Sequence, residues 1–234
     1  GSGDCSSYPA VLLILVSAAL RSPARSIFGV DCALGNVAPG TGRIRAGMHY
    51  TLEDGWLQQA RMAPSPNCGS RPTSCDADLL VIHNISLPPR CYGGDCIERF
   101  FTNRLDWDEH PYFAEIRGVE VSAHLLIRRT GELLQFVNFG ERAWHAGQSC
   151  YQGRDNCNDF SIGIELEGCD DEPYTDAQYA ALSAVTALLM QHYPAISADR
   201  IVGHSDIAPG RKTDPGPAFD WARYRRLLHE GGGA

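Results

Sequence analysis

Leu79-Leu80-Val81-Ile82-His83-Asn84 is an apolar run of four that ends in a histidine, with the Pro88-Pro89 break just beyond it. Its length predicts a strand, and His83 falls at the strand end facing a loop, a placement that suits a ligand. Downstream, Ser161-Ile162-Gly163-Ile164-Glu165-Leu166-Glu167 alternates, so Glu165 and Glu167 point the same way. Val121 to Ile127 reads as a strand, Arg129-Thr130-Gly131-Glu132 as a hairpin turn and Leu133 to Val137 as its partner. Asp95 to Leu105 carries Ile97, Phe100, Phe101 and Leu105 at helical spacing, with core packing as the plain reading of its aromatics. Thr175 to Tyr193 predicts a long helix, with Thr175 and Gln178 spaced as a capping box, and Asp220 to His229 predicts a second amphipathic one. Strands alternating with helices around one hairpin predict an α/β (α+β) domain, a central mixed sheet flanked by helices.

The totals limit what such a domain can do. With 234 residues, 44% of them hydrophobic and 21% charged, the chain can build one good core. Its net charge of -8 argues against a nucleic-acid partner, whose site needs a surplus of Lys and Arg. The nine cysteines contain no C-x-x-C pair, which speaks against a Cys-rich zinc site and for thiols in a reducing compartment. Only Cys91 and Cys96 stand close enough in sequence to suggest a disulfide.

Before Met48 the chain changes character. Ala10 to Leu20 is an apolar run too short to span a bilayer as a helix, so no stable membrane partner is expected. It has the length of a signal core, but Asp4 precedes it and Arg21 and Arg25 follow, the reverse of a secretory signal. Residues 1–47 therefore read as an extension outside the working domain, 48–230 as the domain and 231–234 as a tail. A cytoplasmic location is expected, with export by the apolar run as the alternative.

The chemistry concentrates in Ile201 to Gly216, where Pro209, Gly210, Pro215 and Gly216 predict a loop carrying His204, Lys212 and Asp214. A neutral imidazole and a carboxylate ten residues apart can reach one divalent metal, and His83 supplies a third candidate ligand. A catalytic zinc keeps three protein ligands and lowers the pKa of water to about 7. A carboxylate must then handle the proton and a cation must steady the developing oxyanion. Spacing alone leaves Glu165 and Glu167 both open for the first role, and Lys212 is open to either the second role or a salt bridge. His145, beside Trp144 in a small-residue loop, lines a cleft with either a packing or a substrate role.

Five blocks resemble, in order, the zinc-dependent N-acetylmuramoyl-L-alanine amidases, which share the fold of peptidoglycan recognition proteins. They are Leu80 to Pro89, Val121 to His124, Arg142 to Gly147, Cys157 to Gly168, and Gly203-His204 through Lys212-Thr213-Asp214-Pro215-Gly216. The resemblance runs from about Met48 to about Leu228. It implies zinc ligands at His83, His204 and Asp214, a catalytic carboxylate at Glu165 and an assisting cation at Lys212. It also implies cleavage of the amide between the lactyl group of 1,6-anhydro-N-acetylmuramic acid and L-alanine, in cytoplasmic recycling of cell-wall fragments that otherwise induce β-lactamase. Asn84, Trp144 and His145 are the expected substrate contacts. The rivals are a muropeptide-binding module without catalysis and an exported wall-lytic amidase. Gly210 stands where such proteins often carry an acid, with little expected of the change.

Overall fold

The computed structural model describes residues 49–73 and 75–231. The apolar run at Ala10 to Leu20, the start at Met48 and residues 232–234 lie outside them. Six strands form the main sheet in the order Ile201–Gly203, Leu79–Ile85, Ser161–Glu167, Leu125–Ile127, Leu133–Gln135, Arg61–Met62. The first four run parallel, the predicted hairpin supplies the antiparallel pair, and Arg61–Met62 runs parallel to Leu133–Gln135. The sheet is mixed, as expected.

Its two central strands are buried on both faces, the condition under which parallel strands occur. On one face Leu80, Ile82, Ile162, Ile164 and Leu166 pack against the helices Asp176–His192 and Trp221–Gly231. Leu182, Val185 and Leu189 of the longer helix are fully buried there, each contributing about 1.5–3 kcal/mol through burial. That helix begins as predicted: the Thr175 hydroxyl accepts from Gln178 N, and the Gln178 amide oxygen accepts from Thr175 N. The other face of the Ser161–Glu167 strand carries Ser161, Gly163, Glu165 and Glu167, all buried. Against it stand Leu79, Val81, His83 and Ile85 of the neighbouring strand, in register.

Several elements are shorter than predicted. The strand expected over 121–127 is regular only at Leu125–Ile127, because Ser122 N bonds Trp144 O and His124 N bonds Gly163 O. Its partner ends at Gln135. The helix expected over 95–105 spans Cys96–Phe101, stopped where the Thr102 hydroxyl donates to Glu98 O and Asn103 turns left-handed at φ 57°. His83 lies inside a strand that continues to Ile85. His204 opens a single helical turn, His204–Ile207, where a loop was expected; the Asp206 carboxylate caps it by accepting from Gly203 N at 2.7 Å. Cys96 is a free thiol that accepts from Arg99, so no Cys91–Cys96 disulfide forms.

Candidate active site

Three adjacent parallel strands deliver the site. Register pairs Glu165 with His83 and Gly203 with Ile82, so Glu165 and His204 flank His83 near the carboxyl ends of their strands. Ligand clefts in open α/β sheets form at that edge. The loop after the His204 turn brings Asp214 over it. His83 Nδ1, His204 Nδ1 and Asp214 Oδ2 form a triangle with edges of 3.0, 3.1 and 3.1 Å. Three donors at zinc distance on tetrahedral corners stand about 3.3 Å apart, so the triangle fits a divalent ion closely.

The chemistry of the donors fits as well. Burial, with His204 beside it, pushes His83 down to about 4, leaving it neutral with a lone pair to give. His204 places its Nε2 3.1 Å from the Ala146 carbonyl, which can only accept, so Nε2 carries a proton and the neutral form of the ring has its lone pair on Nδ1. Ala146 O also accepts from Arg211 Nη2 at 2.7 Å. Two imidazoles and one carboxylate are a zinc-type set.

Glu165 lies beside this triangle, 8% exposed, and its Oε2 is buried without a hydrogen-bond partner. Burial pushes its carboxyl well above the usual range; Asp214 adds to the rise and Lys212 opposes it. Lys212 is the one lysine of the chain, also buried, and burial lowers its ammonium while Asp214 and Glu165 hold it up. A dry acid facing a dry cation beside a ligand triangle is an acid–base arrangement.

The cleft that opens onto these groups has a volume of about 230 Å³. Phe101, Val119, Val121 and Trp144 give it an apolar wall, and Asn84, Asp170, Arg211 and Thr213 a polar one. The Asn84 amide donates to Asp170 Oδ1 at 2.8 Å and to Pro215 O at 3.1 Å, which leaves its carbonyl oxygen as its acceptor. His145 lines the cleft at 8% exposure, but both its ring nitrogens turn to the protein, to His83 Nε2 at 2.8 Å and to the Ser161 hydroxyl at 3.1 Å. It therefore offers substrate no free polar atom, against the expectation of a substrate contact.

All the predicted residues thus converge on one cleft. Sequence reading missed Ser161, Asp170, Asn158 and Arg211. The Asn158 amide oxygen accepts from His145 N at 3.0 Å and Ala146 N at 2.8 Å, pinning the segment that touches both imidazoles. Asp170 accepts from both Asn84 and Thr213, bracing the Asp214 loop. Only the alternation of the Ser161 strand hinted at any of these, by placing Ser161 on the face of Glu165.

Residues 73–217 match the family model of N-acetylmuramoyl-L-alanine amidase, and the chain belongs to that family. Within it, the chain is 62% identical to the 1,6-anhydro-N-acetylmuramyl-L-alanine amidase AmpD of Enterobacter cloacae, over 76% of this chain and 94% of that protein. To AmpD of Escherichia coli K12 it is 60% identical, over 76% of this chain and 96% of that protein. A crystal structure of a selenomethionine AmpD derivative superposes with a TM-score of 0.75 at 59% identity, covering 76% of this chain and 99% of that one.

Proposed function

We propose that this chain is a zinc-dependent amidase that hydrolyses the bond between the lactyl group of 1,6-anhydro-N-acetylmuramic acid and L-alanine of a stem peptide. The observation that carries the reading is Glu165, a buried carboxylate with an unpartnered oxygen, which shares one cleft with Lys212 and three converging metal-type donors. The substrate is that of the AmpD relatives named above.

His83, His204 and Asp214 would hold the zinc ion. When bound, it supplies Lewis acidity, lowering the pKa of water to about 7 and polarising a carbonyl. Glu165 takes the proton of the attacking water as its oxygen adds to the lactyl carbonyl carbon. Its raised pKa suits it to return that proton to the L-alanine nitrogen as the C–N bond breaks. The Lys212 ammonium, held out of water, stabilises the tetrahedral oxyanion. The Asn84 carbonyl accepts from an N–H of the stem peptide, and Trp144 covers the apolar side of the sugar. The products are a free lactyl carboxylate and a free peptide amine.

Residues 48–230 form the working unit, supported by the family match at 73–217. The location is cytoplasmic, where free thiols such as Cys68, Cys150 and Cys169 persist, and among the described residues no helix is long and apolar enough to cross a membrane. In a bacterium with an inducible chromosomal β-lactamase, this hydrolysis would keep expression of that enzyme low by removing its inducing fragments. The test is hydrolysis of anhydro-muramyl-tripeptide by the purified protein, read by mass spectrometry with chelator and with zinc restored. Release of peptide that stops on chelation and returns with zinc is the expected result; zinc-loaded protein that binds the tripeptide without cutting it would overturn the reading.

A further inference from the structure

We propose that His145 and Ser161 are positioning residues that decide which nitrogen of His83 faces the metal site. The inference rests on the metal-site reading above, but its geometry stands by itself. Ser161 has one hydroxyl proton, and at 2.6 Å the Cys157 carbonyl takes it, since a carbonyl cannot donate. The Ser161 oxygen then has only lone pairs to offer His145 Nε2 at 3.1 Å, so the His145 proton is on Nε2. A neutral imidazole carries one N–H, which leaves His145 Nδ1 bare. His83 Nε2, 2.8 Å away, must donate to it. The proton of His83 is therefore held on Nε2, and its Nδ1 presents a lone pair to His204 and Asp214.

The competing arrangement is close at hand. A proton on His83 Nδ1 would bond Asp214 Oδ2 directly at 3.1 Å, and that tautomer cannot be a ligand through Nδ1. The relay opposes it by giving the proton a better place. Sequence enforces the relay at a second point: a Cβ on Gly163 would lie 2.4 Å from Cγ of the His145 ring, so glycine keeps the ring's place open. The polar face of one strand thus holds the end of the relay at Ser161, the space for it at Gly163 and the acid at Glu165. Partners of this kind behind a ligand contribute about 10–100-fold to metal affinity.

The test has two readouts. Two-bond ¹H–¹⁵N spectra of the metal-free, ¹⁵N-labelled full chain report the tautomer of each imidazole, and His83 and His145 are both expected with the proton on Nε2. Zinc affinity, measured against a chromophoric chelator, is expected to fall about 10–100-fold in Ser161→Ala and His145→Leu. His145→Asn keeps an acceptor oxygen near the position of Nδ1 and should recover most of the loss, which a mere packing role would not produce. A wild-type spectrum with His83 protonated on Nδ1 overturns the proposal, as does zinc affinity within about twofold of wild type in both Ser161→Ala and His145→Leu. If the wild-type chain binds no zinc, the metal reading fails, and the tautomer spectrum, which needs no metal and no variant, still decides the relay.

Discussion

Glu165 and Glu167 stand two residues apart on one strand, on the same face, and their surroundings are opposite. Glu167 is saturated: it accepts from Gly93 N at 2.7 Å, from Arg129 N at 3.1 Å and from the guanidinium of Arg128 at 3.2 Å, a pair buried on both sides. Glu165 has an oxygen with no partner and a pKa driven up by burial. One carboxylate stitches the Gly93 loop and the hairpin end to the sheet. The other is kept dry and unspent, at a cost in stability that is reasonable only where a proton must be moved.

Exchanging each for its amide separates the two most sharply. Glu165→Gln is expected to lower kcat by about 10²–10⁴, the usual worth of a general acid–base group, while zinc content and melting temperature hold. Asp214→Ala should lose zinc and activity together, so metal analysis of the two variants distinguishes a lost ligand from a lost acid. Equal activity in Glu165→Gln and wild type would remove the base from the scheme. Lys212→Met comes next, with kcat expected down by about 10²–10³, as for other groups that face a developing oxyanion, and metal content unchanged.

Glu167→Gln should behave in the reverse manner. Turnover is expected within a few-fold of wild type, and stability to fall by about 1–3 kcal/mol, because Arg128 keeps its buried charge and loses its buried counter-charge, with only the exposed Glu132 left at 3.5 Å. Chemical denaturation reads this directly. A Glu167→Gln protein that is as stable as wild type but inactive would exchange the roles of the two acids.

The contrast also shows what sequence could and could not carry. Alternation put both acids on one face and stopped there, because their difference lies in what approaches from other segments: Gly93, Arg128 and Arg129 for one, Lys212 and Asp214 for the other. Only the resemblance to a family chose Glu165. The long helix was legible because its capping box is local, four residues that satisfy one another. The strand at 121–127 was overread because Ser122 and His124 spend backbone groups on Trp144 and Gly163, partners remote in sequence. The turn at His204 was missed because Pro209 and Gly210 dominate the loop signal, while its cap is a single aspartate acting on Gly203. His145 was placed correctly in the cleft, yet its partners, His83 and Ser161, could be found only in three dimensions.

The smallest expected effect tests the link between the acid and the cation. Lys212 lowers the pKa of Glu165, and Glu165 raises that of Lys212. Glu165 must be deprotonated to accept a proton, so kcat/KM falls as pH drops through its raised pKa. That fall is the acid limb of the profile, and the Lys212 cation holds it at lower pH than burial alone would. Without Lys212 the carboxylate loses its stabilising cation, so in Lys212→Met the limb moves to still higher pH, visible in the residual activity. Because the chain has one lysine, ¹³C-lysine labelling gives a single side-chain signal whose midpoint should lie below 10.4, the ordinary lysine value. In Glu165→Gln that midpoint should fall further. Coupling between two sites is reciprocal, so the upward shift of the limb and the downward shift of the midpoint should match in size. A limb and a midpoint that ignore each other's substitution would mean that the two groups do not share one electrostatic environment, and Lys212 would then belong with Glu167 among the residues that hold the fold together.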